Sequence, residues 1–227
     1  MRHDIDAEAA IAHLMVADPV MADVIAANGP FMLRADPEDP FLSLCRSITY
    51  QQLSGKAAGT IFSRFLNAAS DGAIGDVPRT GSSGEPLRAT GLTPARVLAL
   101  SDEEFRAVGM SRQKTASLRD LAAHFDRGEL SAHLFHEWED DEIIAHLTQV
   151  RGIGRWTAEM HLMFHLGRPD VLPTNDVGIN RAMMKVYGLE AMPKPADVLR
   201  IGEPWRPWAT VACWYLWRSE DVKLPEA

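Results

Sequence analysis

Leu147-Thr148-Gln149-Val150-Arg151-Gly152-Ile153-Gly154-Arg155-Trp156-Thr157-Ala158 is the stretch on which the fold turns. It reads as the end of one helix, a tight Gly-x-Gly hairpin and the start of a second helix. Two glycines let the backbone turn sharply and let another molecule come close to it. A helix beginning at Arg155 presents N–H groups without intrahelical partners and the positive end of its dipole. That is a phosphate site needing no particular side chain. A plain turn between two helices would look the same, so the hairpin alone does not decide function.

Working outward, the pattern is helical almost throughout, with no alternating run of β-branched strand residues. Residues 139–149 put Ile143, Ile144, Leu147 and Val150 on one face. A helix is expected from Arg155 to about Leu166, stopped by Gly167-Arg168-Pro169, and another follows Pro173-Thr174-Asn175-Asp176 as far as about Tyr187. Upstream, residues 4–17 and 19–28 read as helices broken at Asp18-Pro19. Residues 40–69 read as a long helical stretch opened by Pro40, with a break near Gly55. Thr93-Pro94, the capping box Ser101-Asp102-Glu103-Glu104, and Ser111 open three more helices. Residues 70–92, rich in Gly, Ser and Pro, read as a surface loop. Prolines 193, 195, 204 and 207 segment the tail before a last helix from Trp208 to about Arg218. The expectation is an all-α protein of about ten short helices.

The chain has 227 residues, 46% hydrophobic and 24% charged, the composition of a soluble globular protein. No apolar run approaches the ~20 residues that cross a bilayer, and the acidic N-terminus lacks a signal peptide's apolar segment, so a cytoplasmic protein is expected. Cys45 and Cys213 read as buried thiols, and two cysteines cannot build a four-Cys cluster. A net charge of −8 argues against nucleic acid until its distribution is read. Residues 1–45 carry eight acids and two bases, and residues 220–227 three acids and one base, leaving 46–219 neutral. A local basic face is compatible with that.

Three further features could carry chemistry. Asp176 stands at a helix start, where it is either an ordinary cap or a carboxylate held against the positive helix end to support developing positive charge. Trp205, Trp208, Trp214 and Trp217 crowd the last 23 residues, either as core or as walls for a flat cationic ring; Trp156, just after the hairpin, poses the same choice. Tyr50-Gln51-Gln52-Leu53-Ser54 interrupts an apolar helix, either as one wet face or as a wedge whose Gln52 and Leu53 fill the gap left by an extruded base. Arg112 and Lys114 are candidate phosphate contacts or simply a solvated helix start. His161 and His165 are four apart, with no third ligand at metal spacing.

Taken in order, Gln51-Gln52-Leu53-Ser54, the hairpin 150–158, Asp170-Val171-Leu172-Pro173-Thr174-Asn175-Asp176-Val177-Gly178-Ile179 and Arg206-Pro207-Trp208 resemble the helix–hairpin–helix glycosylases of base-excision repair. Within them they are most similar to the 3-methyladenine glycosylase II branch. The resemblance implies two helical subdomains with a DNA-binding cleft between them: residues 45–165, with the hairpin at 150–154, and residues 1–44 plus 166–227, with the catalytic Asp and the Trp-rich tail. It implies that Asp176 is catalytic, that Trp208, Trp156 and Trp205 line the base pocket, and that Gly152, Ile153, Gly154 and Arg155 hold a DNA phosphate. It also implies a structural Na+ or K+ on the carbonyls of Gln149, Val150 and Gly152, no catalytic cofactor, and a monomer acting on double-stranded DNA. Trp156 stands where bifunctional members carry the Schiff-base lysine, so a monofunctional hydrolase for alkylated bases is expected. Arg151 replaces a frequent proline of the motif. The alternatives are a glycosylase for other damaged or deaminated bases, or a non-catalytic helix–hairpin–helix DNA-binding protein.

Overall fold

Side-chain caps set most of the helix starts. In the computed structural model, which describes residues 5–36, 38–69 and 91–220, Asp6 caps α1 (Ala7–Ala17) and Asp18 caps α2 (Pro19–Asn28). Asp39 caps α3 (Pro40–Tyr50), with Pro40 in the first turn. α4 (Gly55–Ala69) follows, then α5 (Pro94–Ala99) capped by Thr93, and α6 (Asp102–Ala107), whose capping box forms in full. Ser111 opens α7 (Arg112–Asp126), Ser131 opens α8 (Ala132–Glu137), and α9 (Asp140–Leu147) leads to the hairpin. Next come α10 (Arg155–Met160), a π-type turn (His161–His165), α11 (Val177–Val186) and α12 (Pro195–Gly202). A 3₁₀ turn (Glu203–Trp205) precedes α13 (Ala209–Ser219). No strand occurs among the described residues, so the all-α expectation holds.

The break expected near Gly55 is present: Gln52 takes a left-handed φ of 60° after α3, and α4 begins at Gly55. Two expectations change. The helix expected from Arg155 to Leu166 keeps α geometry only to Met160. α8 and α12 are helices that the sequence pattern does not reveal; both are short, and Pro195 opens α12 rather than only breaking the tail. The loop expected over 70–92 lies outside the described residues but for its last two, as does Asp4.

The chain forms two units, residues 37–161 and the flanking segments 1–36 with 162–227. The inner unit packs the apolar faces of α3, α4 and α7, with Phe62, Phe65 and Phe105 in successive ring contacts at 6.2 and 6.0 Å. The flanking unit wraps α1, α2 and α11 around α13. Every residue of α13 from Ala209 to Trp217 is buried, as expected of a helix apolar all round. Phe31 meets Trp214 edge-on at 5.1 Å, and the Tyr215 hydroxyl donates to the Gly29 carbonyl at 3.1 Å. Cys45 and Cys213 are both buried thiols; burial, then Asp39 and Glu38, push the Cys45 thiol well above its ordinary value.

Candidate functional site

In the inner unit, residues 148–154 join α9 to α10. Val150 and Ile153 turn their side chains into the core, which leaves Gly152, Gly154 and the first turn of α10 as exposed backbone. Three hairpin N–H groups are already committed: Val150 donates to the Leu147 carbonyl at 3.1 Å, Ile153 to the Val150 carbonyl at 3.1 Å, and Arg151 to Asp120 Oδ2 at 2.7 Å. Gly154 caps α10 without a side-chain acceptor, so that end of the helix faces outward. Arg155 extends alongside and donates through Nε to Glu159 at 2.9 Å.

Gly152 has φ +81°, and a Cβ there would sit 2.5 Å from Ser117 Oγ and 3.2 Å from Ser117 Cβ on α7. Gly152→Ala therefore combines left-handed strain with overpacking and is expected to destabilise the protein by about 2–3 kcal/mol. Thermal unfolding followed by circular dichroism checks it. A midpoint within about 2 °C of the parent would show that the hairpin tolerates a side chain.

The turn Gln51–Ser54 between α3 and α4 is tied to this hairpin. Gln51 Nε2 donates to the Gly152 carbonyl at 3.0 Å. Gln52 is the one non-glycine residue with positive φ among the described residues, and it is exposed, as is Leu53 at 40%. Lys114 does not reach outward as a phosphate contact. Its ammonium donates to the carbonyls of Thr49 at 2.5 Å and Gln51 at 2.8 Å, capping the end of α3, and partial burial pushes its pKa below the usual lysine value.

Of the three carbonyls expected to hold a cation, Gly152 accepts the Gln51 amide and Val150 accepts the Ile153 N–H, and each keeps a second lone pair.

In the flanking unit, Asp176 caps α11 and is buried, 7% exposed. Its Oδ1 accepts the Ile179 N–H at 2.8 Å and the indole Nε1–H of Trp217 at 3.0 Å. Trp208 is half-buried just before α13. Asp170 grips both of its sides, taking Arg206 Nη1 at 2.7 Å and the Ala209 N–H at 3.2 Å. Thr210 Oγ1 donates to the Arg168 carbonyl at 2.7 Å and accepts the Val171 N–H at 3.0 Å. One short segment, 168–176, thus fixes both the carboxylate and the tryptophan.

Trp205 is corrected from a pocket wall to a core residue. It is 0% exposed and its indole N–H donates to Asp18 Oδ2 at 2.9 Å, so its ring has no surface to offer a ligand. Trp156, on the inner unit, is 49% exposed. Sequence reasoning missed Trp217, Asp170 and Asp120 as supporting residues, because each acts on a partner far away along the chain.

The profile of the HhH-GPD superfamily of base excision DNA repair proteins matches residues 45–207. A DNA-3-methyladenine glycosylase of Schizosaccharomyces pombe is 33% identical over 188 residues, 82% of this chain and 75% of that protein. A crystal structure of a DNA-3-methyladenine glycosidase from Bacillus halodurans superposes with a TM-score of 0.78 at 33% identity, over 96% of this chain and 91% of the other. An S. pombe 3-methyladenine DNA glycosylase in complex with abasic DNA superposes with a TM-score of 0.74 at 30% identity, over 94% and 97%.

Proposed function

The chain belongs to the HhH-GPD superfamily of base excision DNA repair proteins, and from that premise we propose that it is a monofunctional DNA glycosylase that hydrolyses alkylated bases out of duplex DNA. The observation that carries the reading is Asp176: a buried carboxylate at a helix N-terminus, held by two donors on one oxygen.

An N3- or N7-methylated purine is a cation, so its glycosidic bond is already weak and the base leaves without a strong general acid. The C1′–N9 bond breaks, its electron pair goes to the departing base, and the sugar becomes oxocarbenium-like. Asp176 stabilises that positive charge and takes the proton of the water that attacks C1′. A single carboxylate suffices, unlike the pair used on ordinary glycosides. Trp208 supplies a face for a cationic ring, and exposed Trp156 is a second stacking surface on the inner unit. Gln52 and Leu53 are the wedge that fills the place of the flipped base. The backbone at Gly152, Gly154 and the start of α10 holds a phosphate. No step draws on a bound cation. The aromatic side chain of Trp156 forms no imine with the sugar, which is the ground for expecting no lyase step.

Base release from methylated duplex DNA tests this. Free methylpurine, with strand breaks appearing only after alkali, is expected. Strand breaks without alkali would replace the monofunctional assignment with a lyase. Tight DNA binding with no released base from methylated, deaminated or mismatched duplexes would leave a non-catalytic DNA-binding protein.

A further inference from the structure

We infer that Trp217 is a positioning residue for Asp176, setting the rotation of the carboxylate and with it the rate of excision; this rests on Asp176 acting as proposed above. Capping α11 needs only the bond from the Ile179 N–H to Oδ1, at 2.8 Å. One such bond leaves the carboxylate broad torsional freedom about Cβ–Cγ, because that sp³–sp² torsion has shallow wells. The second bond, from Trp217 Nε1 at 3.0 Å, lands on the same oxygen from another helix, 41 residues away in sequence. Two donors on one oxygen fix the plane of the group.

Trp217 is itself fixed. It is 5% exposed, and Phe164 stacks on it with ring centroids 5.6 Å apart at 29°. The approach depends on Gly178: a Cβ there would lie 3.1 Å from Trp217 Cδ1, 3.2 Å from its Nε1 and 3.2 Å from Asp176 Oδ1. A buried indole commonly satisfies its N–H. Here the acceptor is a charged group with a proposed role in the reaction, and three residues from separate parts of the chain converge on that bond.

The test is single-turnover excision of 7-methylguanine from a duplex, with enzyme in saturating excess, using the full chain. Trp217→Phe keeps a ring against Phe164 and removes only the N–H donor. Its rate constant is expected to fall by about tenfold or more, while the Kd for a duplex with an abasic-site analogue stays within about twofold, since ground-state binding makes no use of the bond. A purely structural role would lower the thermal midpoint and the reaction amplitude but not the rate constant, because saturating enzyme makes the rate constant independent of the folded fraction. Gly178→Ala, whose Cβ presses on the indole edge and on Asp176 Oδ1 alike, is expected to show the same split, and if Trp217→Phe does not fold, a parent rate constant in Gly178→Ala overturns the inference. Parent rate constants in both variants, with Asp176→Asn inactive, would overturn the inference about Trp217. An active Asp176→Asn would instead remove the reading of Asp176, and this inference with it.

Discussion

Asp176→Asn is expected to lower the single-turnover rate of base excision by about 10³-fold while leaving affinity for an abasic-site duplex intact. The substitution removes a charge and keeps a shape. Asparagine is as good a helix cap as aspartate, and its amide oxygen still accepts the Ile179 N–H and the Trp217 indole that now meet on Oδ1. Folding and DNA binding therefore survive. What is lost is the negative charge facing the oxocarbenium-like sugar and the base that accepts a proton from water. The two readouts separate the possibilities: weaker DNA binding together with slower excision would mark a structural role, and retained excision would sink the assignment outright.

Asp18→Ala is expected to cost about 3–5 kcal/mol of stability, the largest such effect among the single changes considered. Asp18 Oδ1 accepts the N–H groups of Val20 at 2.9 Å and Met21 at 3.3 Å, and so caps α2. Its Oδ2 accepts the hydroxyl of Tyr187 at 2.5 Å and the indole N–H of Trp205 at 2.9 Å. Removing the carboxylate uncaps a helix and strands two donors on large side chains, one of them fully buried. Burial first, and the hydrogen bond to Asp18 second, raise the Tyr187 phenol far above its usual pKa, so it remains a donor across any practical pH. Asp18→Asn is expected to fall between parent and Ala, because an amide oxygen can still cap α2. Chemical denaturation measures both; a loss under about 1 kcal/mol in Asp18→Ala would show that the network is dispensable.

What could be read from the residues alone is the local part of this design. Asp18-Pro19, Asp39-Pro40, Ser101 with Glu104, and Ser111 announce helix starts through bonds spanning two or three residues. The hairpin announces itself through two glycines. Long-range pairing carries no such signal. Trp217 reaches Asp176 over 41 residues, Gln51 reaches Gly152 over 101, and Trp205 reaches Asp18 over 187. The tryptophans show why: in sequence, all four of the tail share one helical rhythm. In the structure Trp205 is core, Trp208 half-exposed, and Trp217 the donor to Asp176. Which acceptor an indole finds depends on a neighbouring helix rather than on its own. Lys114 follows the same rule, since nothing near it in sequence says that the end of α3 needs its ammonium.

The chain leaves the flanking unit at Asp36 and is back in it by Phe164, and the two meet in a backbone bond of 2.8 Å from the Asp36 N–H to the Phe164 carbonyl. That geometry sets an order of events during synthesis on the ribosome. The inserted unit has all its residues by 161 and can fold while the tail is still being made. Its folding draws the two ends of the insertion together and so meets the loop-closure cost that the flanking unit would otherwise face alone. Asp18, emerging early, waits for Tyr187 and then Trp205 before its carboxylate is fully satisfied. A nascent chain halted before Trp205 thus carries α1 and α2 with an incomplete core, recognisable to a protease. The unit that bears Asp176 is expected to be the last to become resistant.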